Sequence, residues 1–393
     1  MPGRDNRVLI AGGGIGGLAA AIALAQQGIE VEVLERSSFS DETGAGIQLG
    51  PNATRLLTAL GALDAIEPHA FKPEAIVIFD GLSGRRLTSV PLGENAARRY
   101  AAPYLTLHRA DLHAGLREVA GSLSQVALTA GFEVASMEPQ AGEVMARAAD
   151  GRTAKGTSLI GADGVWSATR TRIAPDASLR FSGATAWRAL LKRGDLPEPF
   201  DAPVVGLWLG PGRHIVHYPV RAGEELNVVA VTAGGLGRRG WNLPARAETL
   251  RTTFIRWSKE SKSLLNRASG WHYWSLYRLM HLKQWGEGRV ALLGDAAHPV
   301  LPFLAQGAAL AIEDAVTLAR CMAEETADAA PAFRRYETIR RPRTTRVERL
   351  SQRYGRIYHL DGPLRLARDF LLQRRSEQRA LQRLDWLYGR HDE

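Results

Sequence analysis

The chain has 393 residues, of which 45% are hydrophobic and 23% are charged, and its formal net charge is +9. This composition is typical of a globular protein, and the length is sufficient for two closely packed domains. No apolar run approaches the ~20 residues that a membrane-spanning helix needs, and the polar first residues do not resemble a secretory signal, so we expect a cytoplasmic protein with no membrane association. A single cysteine, Cys321, excludes an internal disulfide and a cysteine metal cluster.

The first predicted unit is strand, glycine turn, helix, strand. Apolar runs at 8–11 and 31–34 predict two buried strands, and the second ends at Glu35. The turn glycines have the spacing of a dinucleotide-binding fingerprint and are Gly12, Gly14 and Gly17. A pyrophosphate would then lie on the N–H groups of the helix N-terminus, and Glu35 would accept hydrogen bonds from an adenosine ribose. The alternative is a glycine-rich turn in an ordinary α/β domain.

Several short strands are predicted next, at 75–79, 86–90, 105–109, 126–128, 131–138, 143–149 and 157–160. The three runs from 126 to 149 suggest a meander. A helix is expected to begin at Asp111, with that residue as its N-cap. Arg109, just before this helix, is well placed to meet a phosphate, and the alternative is a surface arginine. The strand at 157–160 ends in Gly161-Ala162-Asp163-Gly164.

The second half of the chain is first β-rich and then helical. Strands are predicted within 183–235 and at 271–280, and a buried strand at 289–293 ends in Gly294-Asp295. A helix follows at 306–323. The β-rich block lies between two strands of nucleotide-binding type. We therefore expect it to form a second domain, inserted between two segments of the first domain.

The C-terminal residues 331–393 hold 16 arginines, no lysine and 8 acidic residues, so they carry most of the excess positive charge. A nucleic-acid-binding arm is one interpretation of this segment. Apolar and aromatic residues recur through it, which favours a solvated helical surface, with breaks at Pro342 and at Gly362-Pro363. The positive field could also attract an anionic substrate or a nicotinamide nucleotide.

Three elements together are more specific than any one of them. They are the glycine turn with Glu35-Arg36, the turn at 161–164, and the stretch from Leu293 through His298 and Pro302 to Ala308. In this order and spacing the sequence resembles the single-component flavoprotein aromatic hydroxylases, the salicylate and para-hydroxybenzoate hydroxylase family, over about residues 7–320. The resemblance implies an α/β fold in which a Rossmann-like FAD-binding domain is interleaved with a β-sheet substrate domain, followed by a helical C-terminal tail. The implied division is 1–180 for the first part of the FAD-binding domain with an inserted β-meander, 181–283 for the substrate domain, 284–330 for the return segment and 331–393 for the C-terminal region.

The same resemblance implies tightly bound FAD, NADH or NADPH as co-substrate, and O₂. By similarity, the cofactor-binding residues are Gly12, Gly14, Gly17, Glu35, Arg36, Arg109, Asp163, Asp295, Gly307 and Ala308. Asp295 matches the aspartate at the ribityl and phosphate region, and the alternative for it is a turn cap. Gly307 and Ala308 match the backbone segment that faces the pyrimidine edge of the flavin, where the start of the 306–323 helix would direct a positive dipole. His298 lies inside a family motif, which favours a positional role over direct chemistry.

The candidate catalytic residues are His214, Tyr218 and Pro302. No Ser-His-Asp order, zinc spacing or phosphate-transfer loop is present, so the cofactor must supply the chemistry and no metal site is expected. On a strand, His214 and Tyr218 share one face, where a histidine titrating near neutrality could accept a phenol proton and a tyrosine could orient a ring substituent. The alternative is a core histidine and a packing tyrosine, and His217 would face the other side. The stretch resembles the active-site strand of 3-hydroxybenzoate 6-hydroxylase and 6-hydroxynicotinate 3-monooxygenase, and Pro302 matches a residue close to the flavin in part of the family.

Two further predictions concern the pocket. Trp208 and Phe303 are candidates for its lining, although either could belong to the core. Arg188 could pair with a substrate carboxylate, but arginines at this place in the resembling family also serve the structure, so it is left out of the catalytic set.

The implied function is an FAD-dependent monooxygenase that uses NAD(P)H and O₂ to hydroxylate a small aromatic or heteroaromatic compound, expected to be anionic, through an oxygen adduct at flavin C4a. We expect a role in aromatic compound catabolism, a monomer or homodimer, and no nucleic-acid partner. One alternative is a related flavoprotein (an epoxidase, a ubiquinone-pathway hydroxylase or a reductase) acting on a larger apolar substrate. A second is a flavin-bound regulatory protein whose basic tail binds nucleic acid. A plain NAD dehydrogenase is a third, disfavoured because it gives the stretch from Asp295 to Ala308 no role.

Overall fold

The computed structural model of the protein describes residues 7–39, 45–140, 142–194, 196–235, 237–240, 242–325 and 328–389, so the outermost residues of the predicted domain ranges, 1–6 and 390–393, lie outside it. The helices are α1 (Ile15–Gln26), α2 (Pro51–Ala59), α3 (Leu63–Ile66), α4 (Gly93–Tyr100), α5 (Arg109–Ser122), α6 (Ala168–Ile173), α7 (Ala247–Thr253), α8 (Lys259–Arg267), α9 (Gly307–Glu324), α10 (Ala329–Tyr358), α11 (Gly362–Gln373), α12 (Glu377–Gln382) and α13 (Asp385–Tyr388). The strands are β1 (Val8–Ala11), β2 (Val31–Glu35), β3 (Gly46–Leu49), β4 (Ala75–Asp80), β5 (Arg86–Pro91), β6 (Leu105–His108), β7 (Val126–Ala130), β8 (Val134–Gln140), β9 (Glu143–Ala148), β10 (Thr153–Gly156), β11 (Ser158–Gly161), β12 (Ser178–Lys192), β13 (Val204–Gly210), β14 (Arg213–Val220), β15 (Glu225–Ala233), β16 (Leu243–Pro244), β17 (His272–Met280), β18 (Gly286–Glu287) and β19 (Val290–Leu292).

The first sheet confirms the α/β class and the Rossmann-like arrangement. Its strand order is β18-β19-β11-β1-β2-β7, with β19, β11, β1, β2 and β7 parallel and β18 antiparallel at the edge. All four residues of β1 are buried and apolar, as suits a strand covered on both faces. Ala11 lies beside Gly161, and Gly161 beside Leu292. The turns that follow these three strands therefore meet at one edge of the sheet, where ligands bind in such folds.

Some strands belong to different sheets than the sequence suggested. β7 was predicted as the first strand of the meander, but it pairs parallel with β2, Val126 beside Val31, because α5 returns the chain to that edge. β8, β9 and β10 alone form the antiparallel three-stranded sheet. β4 and β5 lie within the range 1–180 yet join the sheet of the later strands, where β4 runs parallel to β13.

The second large sheet has the order β16-β17-β12-β15-β14-β13-β4-β5. One face is covered by α7, α8 and the apolar residues around Phe254, Leu264 and Trp271. The opposite face packs against the turn before α9 and against the C-terminal helices, with Tyr218 and Val347 in one apolar cluster. This second face therefore lies toward the segment that follows β19, at the ligand edge of the first sheet.

The C-terminal region is helical, and its longest helix is anchored in the core. α10 continues through Pro342, so the predicted break there is wrong, because buried residues on both sides of the proline hold the helix, among them Arg340 and Thr344. The break at Gly362-Pro363 is confirmed, since Asp361 caps the start of α11 there. In the described part of the chain, no helix is long and apolar enough to cross a membrane.

Candidate active site

The glycine turn after β1 is tightly packed on its protein side and open on the other. Gly12 has φ +105°, and a Cβ at this position would lie 2.6 Å from the carbonyl oxygen of Ala162. A Cβ on Gly17 would lie 1.9 Å from the carbonyl oxygen of Gly12, so the third glycine is required for the helix to approach the turn. A Cβ on Gly14, the N-cap of α1, would meet no described atom within 4 Å, and no side chain of the described residues caps this helix. The uncapped N–H groups and the open space suit a pyrophosphate.

Glu35 lies beside this turn at the end of β2. Its carboxylate accepts hydrogen bonds from the backbone N–H of Gly13 (2.7 Å) and from the N–H and hydroxyl of Ser37 (2.9 Å each). These contacts orient the carboxylate at the edge of the turn, where Oε2, which among the described residues accepts only from Gly13, retains a lone pair for a ribose hydroxyl. Arg36 follows on the surface and is exposed.

Two aspartates lie at the ends of the neighbouring strands. Oδ2 of Asp163 accepts from the N–H and hydroxyl of Thr169 (3.0 Å each), whereas its buried Oδ1 has no hydrogen-bond partner among the described residues. Asp295 follows β19, and burial raises the pKa of its carboxyl against the opposing charges of His298, Arg109 and Arg170. Oδ1 of Asp163 and the partly buried carboxylate of Asp295 lie at one edge of the sheet. A polar ligand bound there would provide the hydrogen-bond partner that Oδ1 of Asp163 lacks.

Two arginines lie at this edge. Arg170 is buried, and its guanidinium donates to the carbonyl oxygens of Ala296 (2.8 Å) and Val165 (2.5 Å), so it ties the Asp163 turn to the Asp295 turn. It was not among the predicted site residues, because nothing in its local sequence marks it. Arg109 is the first residue of α5 rather than the residue before the helix, because His108, not Asp111, is the N-cap: its Nδ1 accepts from the N–H of Ala110.

The turn before α9 closes the site from the other side. Residues 302–304 form one 3-10 turn, Ala305 has φ +52°, and α9 begins at Gly307 without a cap from any described side chain. A Cβ on Gly307 would lie 3.8 Å from the side chain of Val300, an ordinary contact, so a flat ring can approach the backbone at Gly307 and Ala308. The side chain of Asn52 holds the turn by donating to Oε1 of Gln306 (3.0 Å).

His298 belongs to a buried ion cluster rather than to the open side of the turn. Its Nε2 lies 2.5 Å from Oδ2 of Asp314, and its ring packs on Trp285. Burial raises the pKa of Asp314, but His298 and Arg340 outweigh it and lower that pKa to about 2. Arg340, only 1% exposed, donates to both Asp314 (2.8 Å) and Glu313 (2.6 Å). Part of the arginine-rich C-terminal region therefore lies in the protein core. The prediction of a solvated helical surface is wrong for this part, since Arg340 is buried.

His214 and Tyr218 share one face of β14, as the strand alternation predicts. His214 is 3% exposed, and its ring lies 5.5 Å from the rings of both Phe303 and Tyr358. Burial, followed by the charge of His359, lowers the pKa of His214 well below 6.5, so the expectation of titration near neutrality is wrong. Burial raises the pKa of Tyr218, whose hydroxyl interacts with Gln48. Pro302 is exposed at the start of the turn that carries Phe303.

The opposite face of this sheet is core. His217 is fully buried and packs edge-on against Phe200, with Trp208 also beside it. Trp208 stacks on Phe79 at 4.3 Å and is 1% exposed, so of its two alternatives the core position is the one that the structure shows. Arg188, by contrast, lies on the face of Tyr218.

Contacts between residues that are far apart in sequence complete the pocket face, and one of these residues is Arg188, which the sequence already offered as a candidate. The guanidinium of Arg188 lies over Trp274 and donates to Asn242 (2.9 Å). Tyr104 donates to Oε1 of Gln48 (2.7 Å). His359, from the end of α10, lies with its Nε2 2.8 Å from Nδ1 of His214. These contacts join residues far apart in sequence, so only the tertiary structure identifies them.

The chain matches the FAD binding domain family over residues 5–351. It is 38% identical to 3-hydroxybenzoate 6-hydroxylase of Polaromonas naphthalenivorans over 386 residues, covering 98% of this chain and 96% of that one. It is 36% identical to 6-hydroxynicotinate 3-monooxygenase of Pseudomonas fluorescens over 357 residues, covering 88% and 91%. Among solved structures, Klebsiella pneumoniae HpxO complexed with FAD and uric acid is 27% identical, with a TM-score of 0.84 over 98% of this chain and 97% of that one.

Proposed function

This chain belongs to the FAD binding domain family, and from that premise we propose that it hydroxylates a small aromatic or heteroaromatic acid that carries a ring hydroxyl. The chain is an FAD-dependent monooxygenase of the aromatic hydroxylase type, which uses NAD(P)H and O₂. The relatives at 38% and 36% identity are named for a hydroxybenzoate and a hydroxynicotinate, which share a hydroxyl group and a carboxylate on one ring. The observation that carries the proposal is the shared face of His214 and Tyr218, opposite the turn that leads into α9.

The residues at the sheet edge fit FAD. The open space at Gly14 suits the pyrophosphate, the oriented carboxylate of Glu35 suits the ribose, and the orphaned Oδ1 of Asp163 suits a further polar group. We assign Arg36 and Arg109 to the phosphate side and Asp295 to the ribityl side. We assign the backbone of Gly307 and Ala308 to the pyrimidine edge, where the uncapped start of α9 favours negative charge. When bound and reduced by NADH or NADPH, FAD would activate O₂, so that one of its oxygen atoms is transferred to the ring and the other leaves as water.

His214 is the proposed base. Burial lowers the pKa of its ring, so the imidazole is held in the neutral form, in which one ring nitrogen has the lone pair that a base needs. Since Nδ1 is engaged with His359, the proton of the ring hydroxyl would pass to Nε2. The resulting phenolate is more electron-rich and more readily hydroxylated.

Tyr218 and Arg188 are the proposed orienting residues. Burial raises the pKa of Tyr218, so its hydroxyl stays protonated and can donate a hydrogen bond to a ring substituent. Arg188 lies on the same face and its charge acts on Tyr218, which supports a role in attracting the substrate carboxylate. Pro302 and Phe303 would pack on the ring and keep water away from the reacting carbon.

The test uses two hydroxy acids and two matched compounds, one without the hydroxyl and one without the carboxylate, with the purified, FAD-loaded protein. NADH and NADPH oxidation is measured with 3-hydroxybenzoate, 6-hydroxynicotinate, benzoate and 3-methylphenol. We expect strong stimulation and a hydroxylated product with an acid that keeps both groups, and much weaker stimulation when the hydroxyl or the carboxylate is removed. Equal stimulation by 3-methylphenol would refute the role of the carboxylate, and no stimulation by any of them would favour a larger substrate. We also propose that the protein is located in the cytoplasm, where NADH and NADPH are supplied. We propose that it is a monomer or a homodimer, and gel filtration measures which.

A further inference from the structure

We propose that His359 is a positioning residue that sets the tautomer of His214, so that the C-terminal helix α10 determines whether the strand histidine can act as a base. The inference rests on the proposed function of His214. His359 acts through the contact between its Nε2 and Nδ1 of His214 (2.8 Å).

His359 is held at several points that fix its ring. It is the C-cap of α10, and its backbone N–H donates to the carbonyl oxygen of Ile357. Its own carbonyl oxygen accepts from the N–H of Gly212 (3.1 Å), in the turn between β13 and β14. The two imidazole rings lie 5.1 Å apart with an interplanar angle of 39°. The end of α10 is therefore attached to the hairpin that carries His214, both by backbone and by side chain.

An arginine contact fixes the end of the helix itself. Arg368, from α11, donates to the carbonyl oxygens of Ile357 (3.0 Å) and Tyr358 (2.9 Å), and its guanidinium is paired with Asp369. These bonds satisfy carbonyls that a helix C-terminus otherwise leaves without partners. His359 is thereby placed by α10, α11 and the β13–β14 turn together.

The groups around the pair keep both histidines neutral. Burial, then the charges of Arg213 and Arg368, lower the pKa of His359 to about 4. Around His214 the other neighbours are the ring of Phe303 and the phenol of Tyr358, and burial raises the pKa of that phenol. No carboxylate of the described residues is within bonding distance of either ring. Two neutral imidazoles can share one hydrogen bond only if one nitrogen donates and the other accepts.

The direction of that bond decides the chemistry. If Nε2 of His359 accepts, Nδ1 of His214 carries the proton and Nε2 of His214 is a bare, basic nitrogen available to the pocket. If Nε2 of His359 donates, Nδ1 of His214 accepts, its Nε2 carries the proton, and His214 has no bare nitrogen to offer the substrate. The first direction is the one we assign. In this direction Nδ1 of the imidazolium formed on His214 still donates to Nε2 of His359, which accepts as the orienting group of a catalytic histidine does.

Ring-nitrogen NMR of the FAD-loaded protein with ¹⁵N-labelled histidine tests the assignment directly, with His214→Ala and His359→Leu used to identify the two signals. We expect Nδ1 of His214 to be protonated and its Nε2 to be bare at neutral pH. A protonated Nε2 on His214 with a bare Nδ1 would overturn the inference. This measurement needs no turnover, and His214→Ala alone identifies the His214 signals, so it remains decisive if His359→Leu does not fold.

Kinetics with 3-hydroxybenzoate separate positioning from packing. We expect His359→Leu to lower kcat for hydroxylation roughly 10- to 100-fold while the dissociation constant of 3-hydroxybenzoate and the rate of flavin reduction by NADH stay unchanged. His359→Gln should restore most of the loss, because its amide oxygen can accept the same bond, and the exposed His69→Ala is the matched control. Unchanged kcat in His359→Leu would refute the positioning role. If the NMR result is as expected but His214→Ala keeps full coupled turnover, the base assignment fails and the tautomer assignment stands.

Discussion

Replacing Arg340 with methionine tests the buried ion cluster that joins α10 to the turn after β19. Arg340 is 1% exposed, and its guanidinium donates to Oδ1 of Asp314 (2.8 Å) and to Oε2 of Glu313 (2.6 Å). After the change Glu313 keeps its ion pair with Arg343, whereas Asp314 keeps the contact with Nε2 of His298 but loses its arginine. A carboxylate would thus remain buried with part of its compensating charge removed.

The expected cost follows from that loss. Removing one partner of a buried ion pair costs about 3–5 kcal/mol, because the other charge stays buried. For a chain of this length the unfolding entropy near Tm is about 0.8 kcal/mol/K, so Tm should fall by roughly 4–6 °C. Differential scanning calorimetry of the FAD-loaded protein measures the shift.

Arg335→Met is the matched control, on the same helix. Its ion pair with Glu324 is about half exposed, and a surface pair contributes at most about 1 kcal/mol. The double variant Arg340→Met with Asp314→Asn should recover part of the loss, because Asp314 then no longer leaves a buried charge without its arginine. If Arg340→Met lowers Tm no more than Arg335→Met does, the cluster does not stabilise the fold as argued.

Three further outcomes are expected. His214→Ala should lower product formation by roughly 10²–10⁴-fold at neutral pH while NADH still reduces the flavin, and full coupled turnover would refute its role as base. Gly17→Ala should yield colourless protein, because the new Cβ would lie 1.9 Å from the carbonyl oxygen of Gly12 and the displaced turn would no longer bind FAD. The control Gly121→Ala, whose Cβ would lie 3.9 Å from Leu128, should keep its FAD and stay yellow. The free energy of unfolding should fall as the pH drops from about 6.5 to about 4. His359 has its pKa lowered from 6.5 to about 4 in the folded protein, so in this range it is neutral when folded but binds a proton when unfolded. Denaturant titration measures the free energy across this range, and a constant value would contradict the prediction.

The nucleotide-binding half of the fold could be predicted because its signals are local. The apolar run of β1, the glycine turn and the acid at the end of β2 lie within one short segment, and each restricts the backbone in a recognisable way. The same holds for the ends of β11 and β19, where the turns at Asp163 and Asp295 follow buried strands. The membership of β4 and β5 could not be predicted, because the pairing of β4 with β13 depends on a contact between strands more than a hundred residues apart.

The face of each strand in the second sheet was harder to assign. β13 is buried on both faces, so its apolar pattern does not distinguish the pocket side from the core side, and both alternatives stayed open for Trp208. β14 offered a better signal, because His214 and Tyr218 are polar and lie two residues on either side of Val216. Their surroundings still depended on His359 and Tyr358, which were expected only as parts of a helical tail.

This protein is expected to transfer one atom of O₂ to a small aromatic substrate, for which we propose an acid. Mass spectrometry tests this with the product that the FAD-loaded protein forms under ¹⁸O₂ with NADH or NADPH, from whichever acid most strongly stimulates the oxidation of the nicotinamide. We expect one ¹⁸O atom per product molecule and one reduced nicotinamide oxidised for each product molecule formed. A product without ¹⁸O, or with oxygen that comes from labelled water, would contradict the claim.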